Sequence, residues 1–303
     1  MYPTHNNFRA ISWVIAGISS FTVIGGLTKH LSAQHSGTAV LWVGGLLTLL
    51  LAAPWALRQR ARAIRSQKPG LHLLRALFNT LSALCALYAL PRLSLGEVTF
   101  YQLTTPIWLI PLALIFLGEA VRPMRWLGVA VSFAGVWIVA APGFDAGISL
   151  AVMAILASAV SDALLGVLLK QGQHETPMSM LWWTFSGKTL LFGLLSGFAL
   201  PQFSATDWLL LASMAVLSLA CMLCFIHGYR SADATVAETG SFAGLLVGPL
   251  AGWLMFGETL GNHYWLGAAV LTAGILLALF EPALPWRAVV RNAKPLCLPQ
   301  SGS

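Results

Sequence analysis

Residues 117–136 read LGEAVRPMRWLGVAVSFAGV, and residues 256–275 read FGETLGNHYWLGAAVLTAGI. The two stretches carry the same motif, in which a Gly-Glu pair is followed by Trp-Leu-Gly and then by Ala-Gly. Glu258 follows Glu119 by 139 residues, and the tryptophan and the later glycines keep the same spacing. A repeat at a fixed spacing indicates a chain built from two similar units.

The composition around these stretches is that of a membrane protein. Of the 303 residues, 57% are hydrophobic and only 9% are charged, whereas a soluble domain has roughly 25% charged residues. So few charges could not cover a soluble fold of this length, and the apolar surface must therefore face lipid. Ten apolar runs have about the 20 residues that a membrane-spanning helix needs. They are 10–31, 36–57, 71–90, 94–117, 121–141, 147–169, 177–199, 206–227, 231–256 and 260–280.

Five of these runs fall in each half of the chain, and this odd number turns the second copy upside down relative to the first. We therefore predict an all-α polytopic membrane protein with ten transmembrane helices, arranged as two five-helix repeats of inverted topology. This architecture is typical of secondary transporters. The first repeat covers residues 1–142 and the second covers 143–281, and we expect 282–303 to form a disordered cytoplasmic tail.

The orientation follows from the basic residues. The loop RQRARAIRSQK at residues 58–68 contains five of the 17 lysines and arginines, and positively charged loops stay in the cytoplasm. This assignment places both termini in the cytoplasm of a chain that crosses the bacterial inner membrane many times. The formal charge of +7 is thus explained by the membrane topology, and we expect no binding to nucleic acid.

The repeated Gly-Glu pair, the following W-L-G-x-x-V-x-x-A-G-[VI] and the five-plus-five layout resemble the drug/metabolite transporter superfamily, and more narrowly its EamA-type exporters. The resemblance covers roughly residues 10–280. It implies export of small metabolites, often amino acids, through a cavity lined by the first, third, fourth, sixth, eighth and ninth helices. The aromatic-rich helices are most similar to those of the YddG-type aromatic amino acid exporters.

Several candidate substrate-binding residues fall on the helices that this resemblance places around the cavity. They are Phe78, Asn79, Tyr88, Tyr101, Gln102, Thr105, Trp108, Glu238 and Ser241. A wall with aromatic faces and a few hydrogen-bonding groups suits a planar or amphipathic metabolite, and packing between helices is the alternative for each residue. Glu238 is preferred over Glu97 as a partner for a substrate amine or a proton, because it lies about two turns into its predicted helix.

Prolines mark predicted hinges at similar depths of the two halves. Pro106 and Pro111 lie in the fourth predicted helix, and Gly248 and Pro249 lie in the ninth. Each proline removes a backbone hydrogen bond, and interrupted helices at matching positions point to a transport site. The spacing of Gly240, Gly244 and Gly248 also predicts close packing of the ninth helix against a neighbour.

Ionisable residues inside the apolar runs are costly in a bilayer and are functional candidates. Glu119 and Glu258 end their runs at helix junctions, where a carboxylate satisfies free backbone N–H groups, and a proton relay is the alternative. Asp162 and Lys188 lie in the sixth and seventh predicted helices, where they could form a structural ion pair.

These observations predict a secondary transporter that is not an enzyme. No GxxxxGK[ST] loop for nucleotide binding is present, and the seven histidines are scattered, so we expect neither cofactor nor metal. One half would rock against the other around a central cavity to give alternating access. The expected partners are a small-molecule metabolite and the lipid bilayer, and a homodimer stays open. A flippase for a lipid-linked substrate is the first alternative, and an integral-membrane lipid-modifying enzyme is the second.

Overall fold

The computed structural model describes residues 7–59, 69–117, 123–140, 149–172, 175–231 and 238–279. These residues are helical nearly throughout. The α-helices are α1 (Asn7–Ser32), α2 (Gly37–Gln59), α3 (Pro69–Ala89), α4 (Leu95–Gln102), α5 (Thr105–Leu117), α6 (Pro123–Ala140), α7 (Leu150–Gln171), α8 (Pro177–Leu195), α9 (Ala205–Ser231), α10 (Gly244–Phe256) and α11 (Asn262–Leu279). A short 3₁₀ helix, Glu238–Ala243, precedes α10. The predicted tail, 282–303, lies outside the described residues.

Six stretches of the described chain are long and apolar enough to cross a membrane. They are Phe8–Ser32, Gly37–Ala56, Pro69–Ala89, Leu95–Phe116, Leu150–Gln171 and Ala205–Ser231. Two shorter apolar helices, Trp126–Val139 and Gly240–Phe256, fall in two further predicted spans. Each of the ten predicted runs contains helix, while the count of ten membrane crossings stays a prediction.

The fourth predicted span is two helices, α4 and α5, rather than one helix bent at its prolines. The chain turns at Leu103 and Thr104, and the Thr104 hydroxyl donates a hydrogen bond of 2.7 Å to the Tyr101 carbonyl. Pro106 is the second residue of α5, where a helix tolerates proline because the first N–H groups lack helical partners anyway. The helix interruption therefore precedes both Pro106 and Pro111, and the hinge at these prolines stays a prediction.

The ninth predicted span has the matching arrangement. Its 3₁₀ helix comes before α10, so Gly248 and Pro249 lie inside α10 rather than at the interruption. α5 and α10 each have 13 residues, and α10 starts 139 residues after α5, which is the spacing of the repeated motif. The two halves thus interrupt the same helix at the same place, although not at the predicted residues.

The two copies of the repeated motif pack against each other. α6 carries the first copy and lies antiparallel to α11, which carries the second. A methyl group on Gly135 would lie 2.7 Å from the Gly267 carbonyl oxygen, and one on Gly274 would lie 2.8 Å from that of Gly128. Gly135 corresponds to Gly274 in the repeat, and Gly128 corresponds to Gly267. The contact between the two helices is therefore symmetric. The glycines of the motif allow the two backbones to touch.

The predicted glycine stripe also makes close contacts with neighbouring helices. A methyl group on Gly248 would lie 2.6 Å from Thr99 Oγ1, and one on Gly240 would lie 2.7 Å from the Ile11 carbonyl oxygen. A methyl group on Gly244 would lie 3.0 Å from Thr99 Cγ2. The stripe therefore holds α10 against α4 and the 3₁₀ helix against α1.

Extensive helix contacts join one half of the chain to the other. α1 packs on α9, α3 on α7, α2 on α8, α4 on α10 and α6 on α11. Exchanging the two halves converts the pair α1–α9 into the pair α3–α7. In each pair, the first membrane span of one half packs on the third span of the other half. The halves therefore interlock rather than lie side by side.

Candidate substrate cavity

A cavity of about 240 Å³ lies between the pairs α1–α9 and α3–α7. α8, Ser241 of the 3₁₀ helix and the junction of α4 and α5 complete its wall. The lining residues are Ile18, Phe21, Ile24, Arg75, Asn79, Gln102, Leu103, Thr105, Asp162, Leu165, Gly166, Leu169, Thr184, Phe185, Lys188, Ser218, Cys221, Met222, Phe225, Tyr229 and Ser241. All six spans predicted to line a cavity contribute, and the seventh span, α8, contributes as well.

Four of the nine predicted binding residues line this cavity, namely Asn79, Gln102, Thr105 and Ser241. The Thr105 hydroxyl donates a hydrogen bond of 2.6 Å to the Gln102 carbonyl oxygen across the break between α4 and α5. This bond satisfies a carbonyl that the end of α4 leaves without a helical partner. The break itself therefore forms part of the cavity wall.

Two predicted aromatic residues lie in packed layers outside the lining set. Tyr101 is 2% exposed and its ring lies 5.5 Å from that of Phe100, edge to face, within a hydrophobic cluster. Trp108 packs edge-on against Phe133 at 5.4 Å, and its indole N–H donates to the Thr104 hydroxyl at 3.2 Å. For both residues the structure favours packing between helices over contact with a ligand in this cavity.

The remaining three predictions have different outcomes. Tyr88 lies at the surface beneath the guanidinium of Arg92, 3.9 Å from the ring centre. Phe78 is partly buried on α3 and stands outside the lining set. Glu238 begins the 3₁₀ helix, and its side chain lies outside the described part of the chain.

A chain of hydrogen bonds runs from the helix break to a carboxylate in the cavity wall. The Gln102 side-chain amide donates to Ser158 Oγ at 2.9 Å, and Ser82 Oγ donates to Asp162 Oδ1 at 2.7 Å. The two serine hydroxyls lie 3.0 Å apart. An ionised carboxylate can only accept hydrogen bonds. With Asp162 ionised, Ser82 donates to Asp162, and the Ser158 proton is then directed to Ser82.

The predicted partners Asp162 and Lys188 both line the cavity. They come from α7 and α8, and the charge of Asp162 acts on Lys188. The Lys188 ammonium also lies 6.0 Å from the centre of the Phe192 ring. Both ionisable groups thus face the polar interior of the bundle rather than lipid.

Arg75 is the charged residue of the cavity lining that the sequence analysis missed. It lies seven residues into α3, lines the cavity and is only 2% exposed. Neither its Nε nor its Nη1 has a hydrogen-bond partner among the described residues. The signal that could have found it was an arginine within a predicted membrane helix, since such residues face the interior of a bundle and mark functional sites.

An ion pair connects three elements at the end of the bundle where α1 ends. Lys29 Nζ lies 2.6 Å from Glu258 Oε1 and donates to the Leu93 carbonyl oxygen at 2.8 Å. Glu258 Oε2 accepts a hydrogen bond of 2.6 Å from the backbone N–H of Leu95, the first residue of α4. Glu258 therefore caps a helix as expected, but that helix is α4 rather than the one that follows it. Glu119 lies outside the described residues.

The sequence profile of the EamA-like transporter family matches residues 8–141 and 149–280 of the chain. A riboflavin transporter of Rhizobium johnstonii is 29% identical over 284 residues, which cover 91% of this chain and 92% of the relative. The pseudopaline exporter CntI of Pseudomonas aeruginosa is 26% identical and covers 81% of this chain and 87% of its own length. An S-adenosylmethionine uptake transporter of Rickettsia bellii is 20% identical over 89% of this chain and 93% of its own.

A solved crystal structure has the same fold. It superposes with a TM-score of 0.60 at 14% sequence identity and covers 92% of this chain and 97% of its own. The names of the three relatives describe transport of unrelated small molecules in different directions. The shared scaffold therefore does not specify the substrate.

Proposed function

Because the chain belongs to the EamA-like transporter family within the drug/metabolite transporter superfamily, we propose that it exports amino acids, aromatic ones above all, across the bacterial inner membrane. Family membership makes the chain a multi-pass small-molecule transporter and not an enzyme. Our proposal adds the substrate, the direction, the cytoplasmic position of both termini and an alternating-access mechanism. The observation that carries it is a cavity that has room for one aromatic ring and is lined by both aromatic and charged side chains.

The volume of the cavity supports a substrate with one aromatic ring. An apolar cavity of about 150 Å³ holds one benzene ring, so a cavity of about 240 Å³ has room for one ring and a short polar substituent. Phe185, Phe225 and Tyr229 supply aromatic faces, while Asn79, Thr184 and the charged residues supply polar contacts. Such a lining orients a molecule that has an apolar ring at one end and charges at the other.

A planar heteroaromatic substrate is the second candidate, because a riboflavin transporter is similar over nearly the whole chain. Riboflavin has three fused rings and a ribityl chain, so it would need a more open conformation than the one described. The same aromatic residues could stack on it. Counterflow measurements with both classes of molecule distinguish the candidates.

The arrangement of helix pairs supports a specific form of alternating access. Because the main helix contacts join different halves, we propose that the moving units are the pairs α1–α9 and α3–α7, which rock against each other around the cavity between them. Lys29 at the end of α1 binds Glu258 and the Leu93 carbonyl beyond α3, and these contacts connect α1 to the loop after α3. Opening this end for transport would require the contacts to break.

The test is counterflow in proteoliposomes with labelled phenylalanine, tryptophan, threonine, riboflavin and a nucleobase. We expect saturable exchange of the aromatic amino acids. Phe185→Ala should raise their KM about 3- to 10-fold, because it removes an aromatic contact. Phe116→Ala removes a ring that is 53% exposed on α5 and serves as the matched control with unchanged KM.

The outcomes separate the alternatives. Exchange of riboflavin without exchange of amino acids would replace the first candidate by the second. Scrambling of labelled lipid by the same vesicles, with no movement of any metabolite, would identify a flippase. Direction is tested in cells fed a phenylalanine dipeptide, where overproduction of an exporter increases free phenylalanine in the medium.

A further inference from the structure

Arg75 is a buried cation that faces the cavity with unused hydrogen-bond donors. Its side chain is 2% exposed and lines the cavity, and within the described chain Nε and Nη1 have no hydrogen-bond partner. Arginine does not lose its proton in proteins, so the cost of burial cannot be relieved by neutralisation. A buried guanidinium needs a counter-ion. Because the Arg75 guanidinium lines the cavity, an anion bound in the cavity could serve as that counter-ion.

Among the described residues, the charges around Arg75 do not supply that counter-ion. Those of Arg230 and Glu175 act on it, and they are opposite in sign and so oppose each other. Arg230 Nη2 also donates to the backbone carbonyl of Glu175, which keeps this pair together. The guanidinium therefore keeps an attraction for anions at the cavity wall.

The lining residues as a group lead to the same conclusion. Those with formal charge are Arg75, Lys188 and Asp162, giving two positive charges and one negative charge. Asp162 accepts the hydrogen bond from Ser82 and its charge acts on Lys188. The described wall thus has a formal net charge of +1, which an anionic group on a ligand would balance.

We propose that Arg75 binds a carboxylate of the transported molecule, so that the substrates are small aromatic carboxylates, with or without an amine. A guanidinium can donate two parallel hydrogen bonds to a carboxylate, a geometry that gives both strength and orientation. The ring of the substrate would then pack against Phe185 on α8 and Phe225 on α9, which also line the cavity. This assignment rests on the proposed function and names the chemical group by which the substrate is held.

The first test compares three ligands on the wild-type protein. Unlabelled phenylalanine, 3-phenylpropionate and phenylalaninamide compete with labelled phenylalanine in counterflow. The second lacks only the amine, and the third replaces the carboxylate by a neutral amide of similar size. We expect the two carboxylates to compete about 10- to 100-fold more strongly than the amide, since they alone form charge-assisted hydrogen bonds with Arg75. Equal competition by all three would overturn the assignment without any variant.

The second test changes the arginine. In Arg75→Gln the carboxylates and the amide should compete equally poorly, whereas Arg75→Lys should keep part of the preference because it keeps the charge. Arg92→Gln makes the same chemical change at a surface arginine that stacks on Tyr88, and the full preference should remain. A folded Arg75→Gln protein that still prefers carboxylates would show that Arg75 has only a structural role.

A melting experiment keeps the two proposals separate. If the wild type moves no labelled amino acid, the proposed function fails, and benzoate then serves as a probe of Arg75. Benzoate should raise the Tm of the wild type and of Arg92→Gln, but not that of Arg75→Gln. A Tm that benzoate leaves unchanged in the wild type, or raises equally in all three proteins, would overturn the assignment of Arg75.

Discussion

Glu258 joins three elements through one side chain. Its Oε1 pairs with Lys29 at the end of α1, and its Oε2 accepts from the N–H of Leu95 at the start of α4. Gly252 on α10 makes room for this carboxylate, because a methyl group there would lie 2.5 Å from Oε2. The side chains of Lys29 and Glu258 are each only 17% exposed. Partial removal from water makes the pair stronger than an exposed one.

Glu258→Gln keeps an oxygen for the Leu95 N–H but removes the charge that holds Lys29. We expect the free energy of unfolding to fall by about 1–3 kcal/mol, because a half-buried ammonium loses its partner. Thermal denaturation in detergent, followed by circular dichroism, measures the change. Lys29→Met should have a similar effect, and the double variant should lose less than the sum. Strictly additive losses would show that the two charges do not stabilise one another.

The packing of helix against helix explains the repeated motif. Its glycines lie where α6 and α11 touch backbone to backbone, and Ser132 donates to the Gly128 carbonyl at 2.8 Å within the same contact. Close approach of two backbones inside a membrane depends on residues without side chains, because packing rather than water exclusion drives helix association there. The motif is therefore a packing device that was duplicated with the fold.

Gly135→Ala places a methyl group 2.6 Å from the backbone nitrogen of Leu271. Backbone atoms cannot move aside, so we expect α6 and α11 to separate and the free energy of unfolding to fall by about 1–3 kcal/mol. Gly70→Ala is the matched control, since no atom lies within 4 Å of its added methyl group. Helix propensity should leave that variant as stable as the wild type or slightly more so. Equal melting temperatures for both variants would contradict tight packing at Gly135.

At the scale of the whole molecule, the cavity belongs to both halves at once. One side of it comes from α1 and α9, and the facing side comes from α3 and α7. Each side combines helices of both halves, so any relative movement of the two sides changes the cavity. The ion pair of Lys29 lies at one end of this arrangement, where α1 meets the loop after α3.

A cross-link at that end should stop transport if the end must open. Lys29→Cys on α1 and Leu93→Cys in the loop after α3, combined in a background without the native cysteines, can be joined by a reducible bifunctional thiol reagent. We expect counterflow to fall at least tenfold after cross-linking and to recover on reduction, because the two sides could no longer separate. Each single cysteine variant treated with the reagent is the control. Undiminished exchange in the cross-linked protein would exclude opening at this end.

The membrane class, the duplication and most of the helices could be predicted from the sequence. Continuous hydrophobicity and a repeated motif are properties of the chain itself, so the repeat alone relates Gly135 to Gly274. The helix breaks were placed at prolines such as Pro106, although the chain breaks earlier, at Leu103 and Thr104. A proline in the first turn of a helix is compatible with that helix, so its presence does not locate a break.

The sequence by itself determined that this chain crosses a membrane as two related halves, because length, hydrophobicity and repetition do not depend on contacts. Only the tertiary structure decided which side chains face the cavity. A helix that is apolar on every side gives no periodic signal of its buried face. Tyr101 and Gln102 are therefore neighbours in sequence, yet the first packs in the core and the second lines the cavity. Arg75 became a candidate only when the packing of α3 showed where its guanidinium lies.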